Sequence, residues 1–124
     1  MDDTKPTALV VDDDPDAAAV MQLLLARWGC RSAIAPDGEA ALRLAAQAPP
    51  RLVFVDLHLG DHDGVEVLHA LRDALPPQPR ATIVCLTGRS EATVRQRCLR
   101  AGFDAFFTKP MPLDALAALA REAA

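Results

Sequence analysis

The sequence predicts an α/β domain in which a parallel sheet carries helices on both faces. Three observations lead there. Five short apolar runs, at 8–11, 31–35, 52–56, 82–86 and 104–108, have the length and continuity of strands buried on both sides. Five other segments place apolar residues at helical spacing and carry helix start and stop signals. The two kinds alternate strictly, as right-handed crossovers between parallel strands require. At 124 residues and 51% hydrophobic content, with no internal repeat, the chain reads as one domain over 1–124 with its core at about 7–122.

Each element has a local reason. The first strand, Ala8-Leu9-Val10-Val11, runs into Asp12-Asp13-Asp14-Pro15. Proline is favoured at the first helical position, so Asp14 is the N-cap of a helix to about 28, and Asp12 and Asp13 remain at the strand tip. Gly29 ends that helix. The second strand covers about 31–35. Asp37-Gly38 then turns into a helix through Ala41, Leu42, Leu44 and Ala45, which Pro49-Pro50 stops. The third strand ends on Asp56. Beyond a loop, Asp63 and Glu66 resemble a capping box and open a helix bearing Val67, Leu68, Leu71 and Leu75. Pro76, Pro77 and Pro79 end it. The fourth strand stops at Thr87, and a helix over about 90–100 closes at Gly102. The fifth strand stops at Lys109-Pro110, and the last helix spans about 112–122. Leu113, Leu116 and Ala120 on that helix read as packing onto the sheet, and Arg95, Arg97 and Arg100 as a solvated face.

Composition excludes several function classes. A formal net charge of −4 argues against direct nucleic-acid binding. No apolar run approaches the roughly 18 residues of a membrane span, and the polar, acidic start does not resemble a signal peptide. A cytoplasmic protein without membrane insertion is expected. Cys30, Cys85 and Cys98 are odd in number and lack a CxxC pair, so they read as small buried hydrophobes. His58, His62 and His69 lack metal-ligand spacing.

Open α/β folds bind ligands beyond the carboxyl ends of their strands. Those ends deliver Asp12 and Asp13 from strand one, Asp56 from strand three, Thr87 from strand four and Lys109 from strand five. Three crowded carboxylates need a counter-charge, and hard oxygen donors suit Mg²⁺. With Lys109 balancing charge and Thr87 offering a hydroxyl donor, the set suits phosphoryl transfer, with Asp56 as the nucleophile that forms an acyl phosphate.

In the motifs "LVVDDD", "VDLHLGDHDG", "LTG" and "FTKP", taken in that order over about residues 8–120, the chain resembles the receiver domain of two-component response regulators. The resemblance implies a flavodoxin-like, doubly wound (βα)5 fold with sheet order 2-1-3-4-5. It implies that Asp56 accepts a phosphoryl group from a histidine kinase or a histidine phosphotransfer protein. Asp13 would bind Mg²⁺ (or Mn²⁺) directly and Asp12 through water, with Asp56 and the backbone carbonyl of His58 completing the protein ligands. Thr87 and Lys109 would contact phosphoryl oxygens, and the Lys109–Pro110 bond would be cis. Thr87 and Phe106 would switch, with Phe106 turning inward, and would change the face made by the fourth helix, fifth strand and fifth helix. Phe106 reads equally well as a plain core residue. That face would act on a downstream protein effector, with homodimerisation on phosphorylation a further expectation. The domain would phosphorylate itself from a donor and dephosphorylate slowly, without being a turnover enzyme. No output domain is expected, only a single-domain regulator or the receiver of a hybrid kinase.

The sequence departs from the family at Gly60, where proline is common, and at Phe106, where tyrosine is frequent. His58 and Arg89 occupy the positions that influence phosphoryl lifetime. Three rival readings fit less well. A haloacid dehalogenase-type phosphatase needs an aspartate where His58 stands. A flavodoxin-like FMN carrier needs a Ser/Thr/Gly-rich loop where Asp12-Asp13-Asp14-Pro15 stands. A degenerate receiver that binds partners without phosphorylation has no need of all five site residues.

Overall fold

The computed structural model describes residues 5–59, 62–88 and 92–124, with the backbone alone at 58, 59 and 62. Strands β1 (Ala8–Val11), β2 (Ser32–Ala35), β3 (Leu52–Asp56), β4 (Thr82–Thr87) and β5 (Ala105–Thr108) alternate with helices α1 (Pro15–Arg27), α2 (Gly38–Gln47), α3 (Gly64–Ala74), α4 (Ala92–Ala101) and α5 (Leu113–Ala123). All strands of the sheet are parallel, in order β2-β1-β3-β4-β5. This is the flavodoxin-like (βα)5 arrangement. The sequence pattern did not show one feature, a two-residue antiparallel ladder of His58–Leu59 with His62–Asp63 between β3 and α3. It is too short to leave any periodicity.

The chain goes outward from β1 to β2, then returns past β1 to β3, β4 and β5. Right-handed crossovers in opposite directions put helices on opposite faces. Residues two apart on a strand share a face, which divides the core in two. Leu9, Val11, Val53, Val55, Ile83 and Cys85 face α2 and α3 and meet Cys98 of α4. Val10, Phe54, Val84 and Leu86 face α1 and α5, meeting Leu25, Leu116 and Ala120. Near-continuous burial along β1 and β3 explains why their sequence runs show no alternation.

Helix ends follow side-chain chemistry. Asp14 Oδ1 accepts from the N–H groups of Asp16 at 3.0 Å and Ala17 at 3.3 Å. Asp37 accepts from Ala40 N at 2.8 Å, and Asp63 from Val65 N at 3.0 Å. Gly29, at φ 76°, and Gly102, at φ 117°, leave α1 and α4 in a region that disfavours side chains.

One sequence expectation needs correction. Leu113 is 56% exposed and does not pack onto the sheet, because it is the first residue of α5 and the inward stripe begins at Leu116. Arg95, Arg97 and Arg100 are exposed, as expected, and Arg97 Nη2 also donates to Asp63 Oδ2 at 2.6 Å, joining α4 to the start of α3. All three cysteines are buried, as expected. No helix among the described residues is long and apolar enough to cross a membrane.

Candidate functional site at the carboxyl edge of the sheet

Strand register builds this site. Val11 pairs with Val55, Asp56 with Leu86 and Thr87 with Thr108, so β1, β3, β4 and β5 end nearly level. Asp12 and Lys109 are the next residues after β1 and β5. Residues far apart in the chain thus meet at one edge, at the point where strand order reverses between β1 and β3.

Asp12, Asp56 and Lys109 are paired and only partly solvated there, while Asp13 is exposed. Lys109 Nζ donates to Asp12 Oδ2 at 2.9 Å and to Asp56 Oδ2 at 3.3 Å. Asp12 is 6% exposed, and its other oxygen accepts from Asp14 N at 2.9 Å. Burial alone would lower the Lys109 pKa. The hydrogen bond to Asp12 and the charges of Asp56 and Asp12 outweigh it and raise the pKa above the ordinary lysine value. Lys109 therefore stays an ammonium at neutral pH.

Asp12, Asp13 and Asp56 each present a carboxylate oxygen, and these oxygens lie within 4.8 Å of one another. Such a set of hard oxygen donors, spanning a buried, a half-buried and an exposed side chain, can hold a divalent cation. Among the described residues one ammonium faces these three carboxylates, so a cation would also relieve repulsion.

Thr87 is fully buried at the tip of β4, and its carbonyl accepts from Lys109 N at 2.8 Å. Phe106, 8% exposed, lies opposite Cys85 and belongs to the core on the α2–α4 side. It is already inward in this structure. The Lys109–Pro110 peptide is cis. The His58 backbone lies just past Asp56, in the short ladder opposite Asp63. Gly60, Arg89 and Ser90, the predicted start of the fourth helix, lie outside the described residues.

Sequence reading passed over Gly64. Its N–H donates to the Leu57 carbonyl at 2.9 Å. A Cβ there would stand 2.7 Å from the Asp56 carbonyl oxygen and 2.9 Å from Leu57 Cα. Only glycine lets α3 start so close behind Asp56. The signal was present as the last residue of "VDLHLGDHDG", but a glycine after a loop reads as a turn unless the backbone it approaches is known.

With this geometry established, comparisons place the chain among known proteins. The family model of the response regulator receiver domain matches residues 8–121. The transcriptional regulatory protein KdpE of Mycobacterium tuberculosis is 36% identical over 115 residues, covering 93% of this chain and 49% of the relative. An uncharacterised 14.6 kDa protein of Leptolyngbya boryana is 35% identical over 107 residues, covering 86% of this chain and 81% of the relative. The crystal structure of a response regulator from Burkholderia pseudomallei, with a phosphorylated aspartic acid, calcium ion and citrate, superposes with TM-score 0.81. It is 29% identical, over 92% of this chain and 65% of that one. The chain spans about half the length of several curated relatives it matches, at 45–49%.

Proposed function

This chain belongs to the response regulator receiver domain family, and from that premise we propose that Asp56 is a phosphoacceptor whose modification switches the surface formed by α4, β5 and α5. The observation that carries this reading is the juxtaposition of Asp56 with two further carboxylates and with a lysine that bridges it to Asp12.

The donor is a phosphohistidine on a histidine kinase or a histidine phosphotransfer protein. An Asp56 carboxylate oxygen attacks phosphorus, an O–P bond forms, the N–P bond of the donor breaks, and the imidazole leaves with a proton. Asp12, Asp13, Asp56 and the His58 carbonyl would hold Mg²⁺, for which Mn²⁺ could substitute. The ion would supply positive charge against the carboxylates and the transferring phosphoryl group. Lys109 Nζ, 3.3 Å from Asp56 Oδ2, takes a phosphoryl oxygen, and the Thr87 hydroxyl donates to another.

Because the Thr87 carbonyl accepts from Lys109 N, a shift of Thr87 pulls on the connection between β5 and α5. Phe106 fills the core beside this hinge and holds the surface in one state. The output is a downstream protein in the cytoplasm, with no direct nucleic-acid contact by this domain and with dimerisation on phosphorylation. The domain is a stoichiometric acceptor that loses its phosphoryl group slowly, not a turnover enzyme.

Intact mass after incubation with acetyl phosphate tests the reading. Wild type should gain one phosphoryl group with Mg²⁺ and none without it, and Asp56→Asn should gain none. An adduct of equal yield in Asp56→Asn would overturn the assignment.

A further inference from the structure

Among the helices, α4 is the most weakly rooted. Of its ten residues only Cys98 is fully buried, whereas α1 buries two, α2 three, and α3 and α5 four each. Val94 and Ala101 pack only partly against the core. The Arg97–Asp63 ion pair is exposed at 59% and 37%, and exposed pairs hold little. The anchor of α4 is therefore a thiol. Cys98 Sγ lies 3.5 Å from Sγ of Cys85, and both residues are 0% exposed. Cys85 is in β4, two residues before Thr87, so the two side chains leave the strand on the same face. The thiol pair thus lies directly below the hydroxyl at the strand tip. Cys30, the third cysteine, lies in the core on the opposite face of the sheet and cannot join it.

We propose that Cys85 and Cys98 form a redox-modification site, closed to an intrachain disulfide by a hydroperoxide, and that the bond clamps α4 to β4. The peroxide oxidises one thiol to a sulfenic acid and leaves as an alcohol, or as water from hydrogen peroxide. The second thiol then attacks the sulfenic sulfur, the S–S bond forms, the S–O bond breaks, and water departs. The sulfurs must close from 3.5 Å to the roughly 2.05 Å of a disulfide, a small movement for a helix with one buried anchor. Burial keeps the pair reduced in the closed protein. Desolvation, reinforced by Cys98, pushes the Cys85 thiol far above its ordinary range, so reaction proceeds through local opening of α4. The regulatory consequence rests on the reading of Asp56 given above: a clamped α4 resists the change that phosphorylation demands.

The test uses the whole chain, first reduced and then treated with hydrogen peroxide. Intact mass should fall by two hydrogens. Peptide mapping should place the link at Cys85–Cys98, and dithiothreitol should reverse it. Cys98→Ala and the better-packed Cys85→Val should each abolish the loss. Oxidised wild type should accept a phosphoryl group from acetyl phosphate at least about fivefold more slowly, the low end of ordinary coupling between sites. Reductant should restore the rate, and Cys85→Val should be insensitive to peroxide. Added oxygen without loss of two hydrogens, or a link through Cys30, overturns the site. A disulfide that leaves the rate unchanged overturns the clamp. Failure of the phosphoacceptor reading shows separately, as reduced wild type that gains no phosphoryl group, while the mass shift still decides the disulfide.

Discussion

A Cβ placed on Gly64 would stand 2.7 Å from the carbonyl oxygen of Asp56, and backbone cannot swing aside as a side chain can. Gly64→Ala must displace either Asp56 or the start of α3. It is expected to cost about 1–3 kcal/mol in urea denaturation, as overpacking does, and to slow acetyl phosphate labelling of Asp56. Gly88 is the control, since nothing among the described residues lies within 4 Å of a Cβ there, and Gly88→Ala should leave stability nearly unchanged. A second residue argument concerns Asp104, which accepts from Arg72 Nη2 at 2.6 Å, Arg80 Nη1 at 2.7 Å and Ile83 N at 2.7 Å. Burial pushes its pKa up, but the Ile83 N–H and the two guanidinium groups prevail and lower it. Its stabilisation is thus complete above the unfolded aspartate value of about 3.9 and is lost as pH falls through the folded value below that. Asp104→Asn should be less stable than wild type by about 1–3 kcal/mol at pH 7, and the gap should close in denaturation curves taken below about pH 4. Sequence reading found the five charged and hydroxyl residues at the strand tips because each ends an apolar run. It missed Gly64 and Asp104 because their roles depend on close approach and on partners 20 or more residues away, which leave no local pattern.

Helices differ in how they are held, and α4 is the extreme case. With Cys98 as its buried anchor, α4 should exchange its amide hydrogens faster than α2, α3 or α5 under native conditions. Hydrogen-exchange mass spectrometry reads this directly, and equal protection of α4 and α3 would refute it. Weak rooting is visible in the sequence as the arginine-rich run 95–100, which offers few apolar side chains. The other elements were legible for complementary reasons. Asp14, Asp37 and Asp63 stop and start the chain by accepting backbone N–H groups, a local chemistry that survives in any context. The ladder at His58–Leu59 and His62–Asp63 was not legible, because two-residue strands are set by the loop they close. Leu113 was misplaced because helical spacing gives relative phase, while α5 begins one residue later than the pattern suggested.

At the scale of the molecule, the sheet gathers charge at one edge from segments spread over nearly the whole chain. Asp12 follows β1, Asp56 ends β3 and Lys109 follows β5, so the repulsion among the carboxylates opposes the fold itself and not one loop. Strict alternation made the parallel sheet readable, but strand order came only from the family resemblance, since each crossover is locally the same whichever neighbour it reaches. Among the described residues, three carboxylates with oxygens within 4.8 Å of one another face one ammonium, so cation binding should appear as global stability. A ligand bound by the folded state alone adds roughly 2.7 kcal/mol at about 100 times its Kd. The melting temperature should therefore rise with millimolar Mg²⁺ and should not respond to equal ionic strength of NaCl. Asp13→Asn separates the two contributions. Asp13 is exposed and makes no ion pair among the described residues, so its loss removes repulsion without breaking a contact. The variant should melt higher than wild type without Mg²⁺ and respond weakly when Mg²⁺ is added. If Asp13→Asn instead melts lower without the ion, Asp13 contributes to the fold, and the edge is held by its hydrogen bonds more than it is strained by its charge.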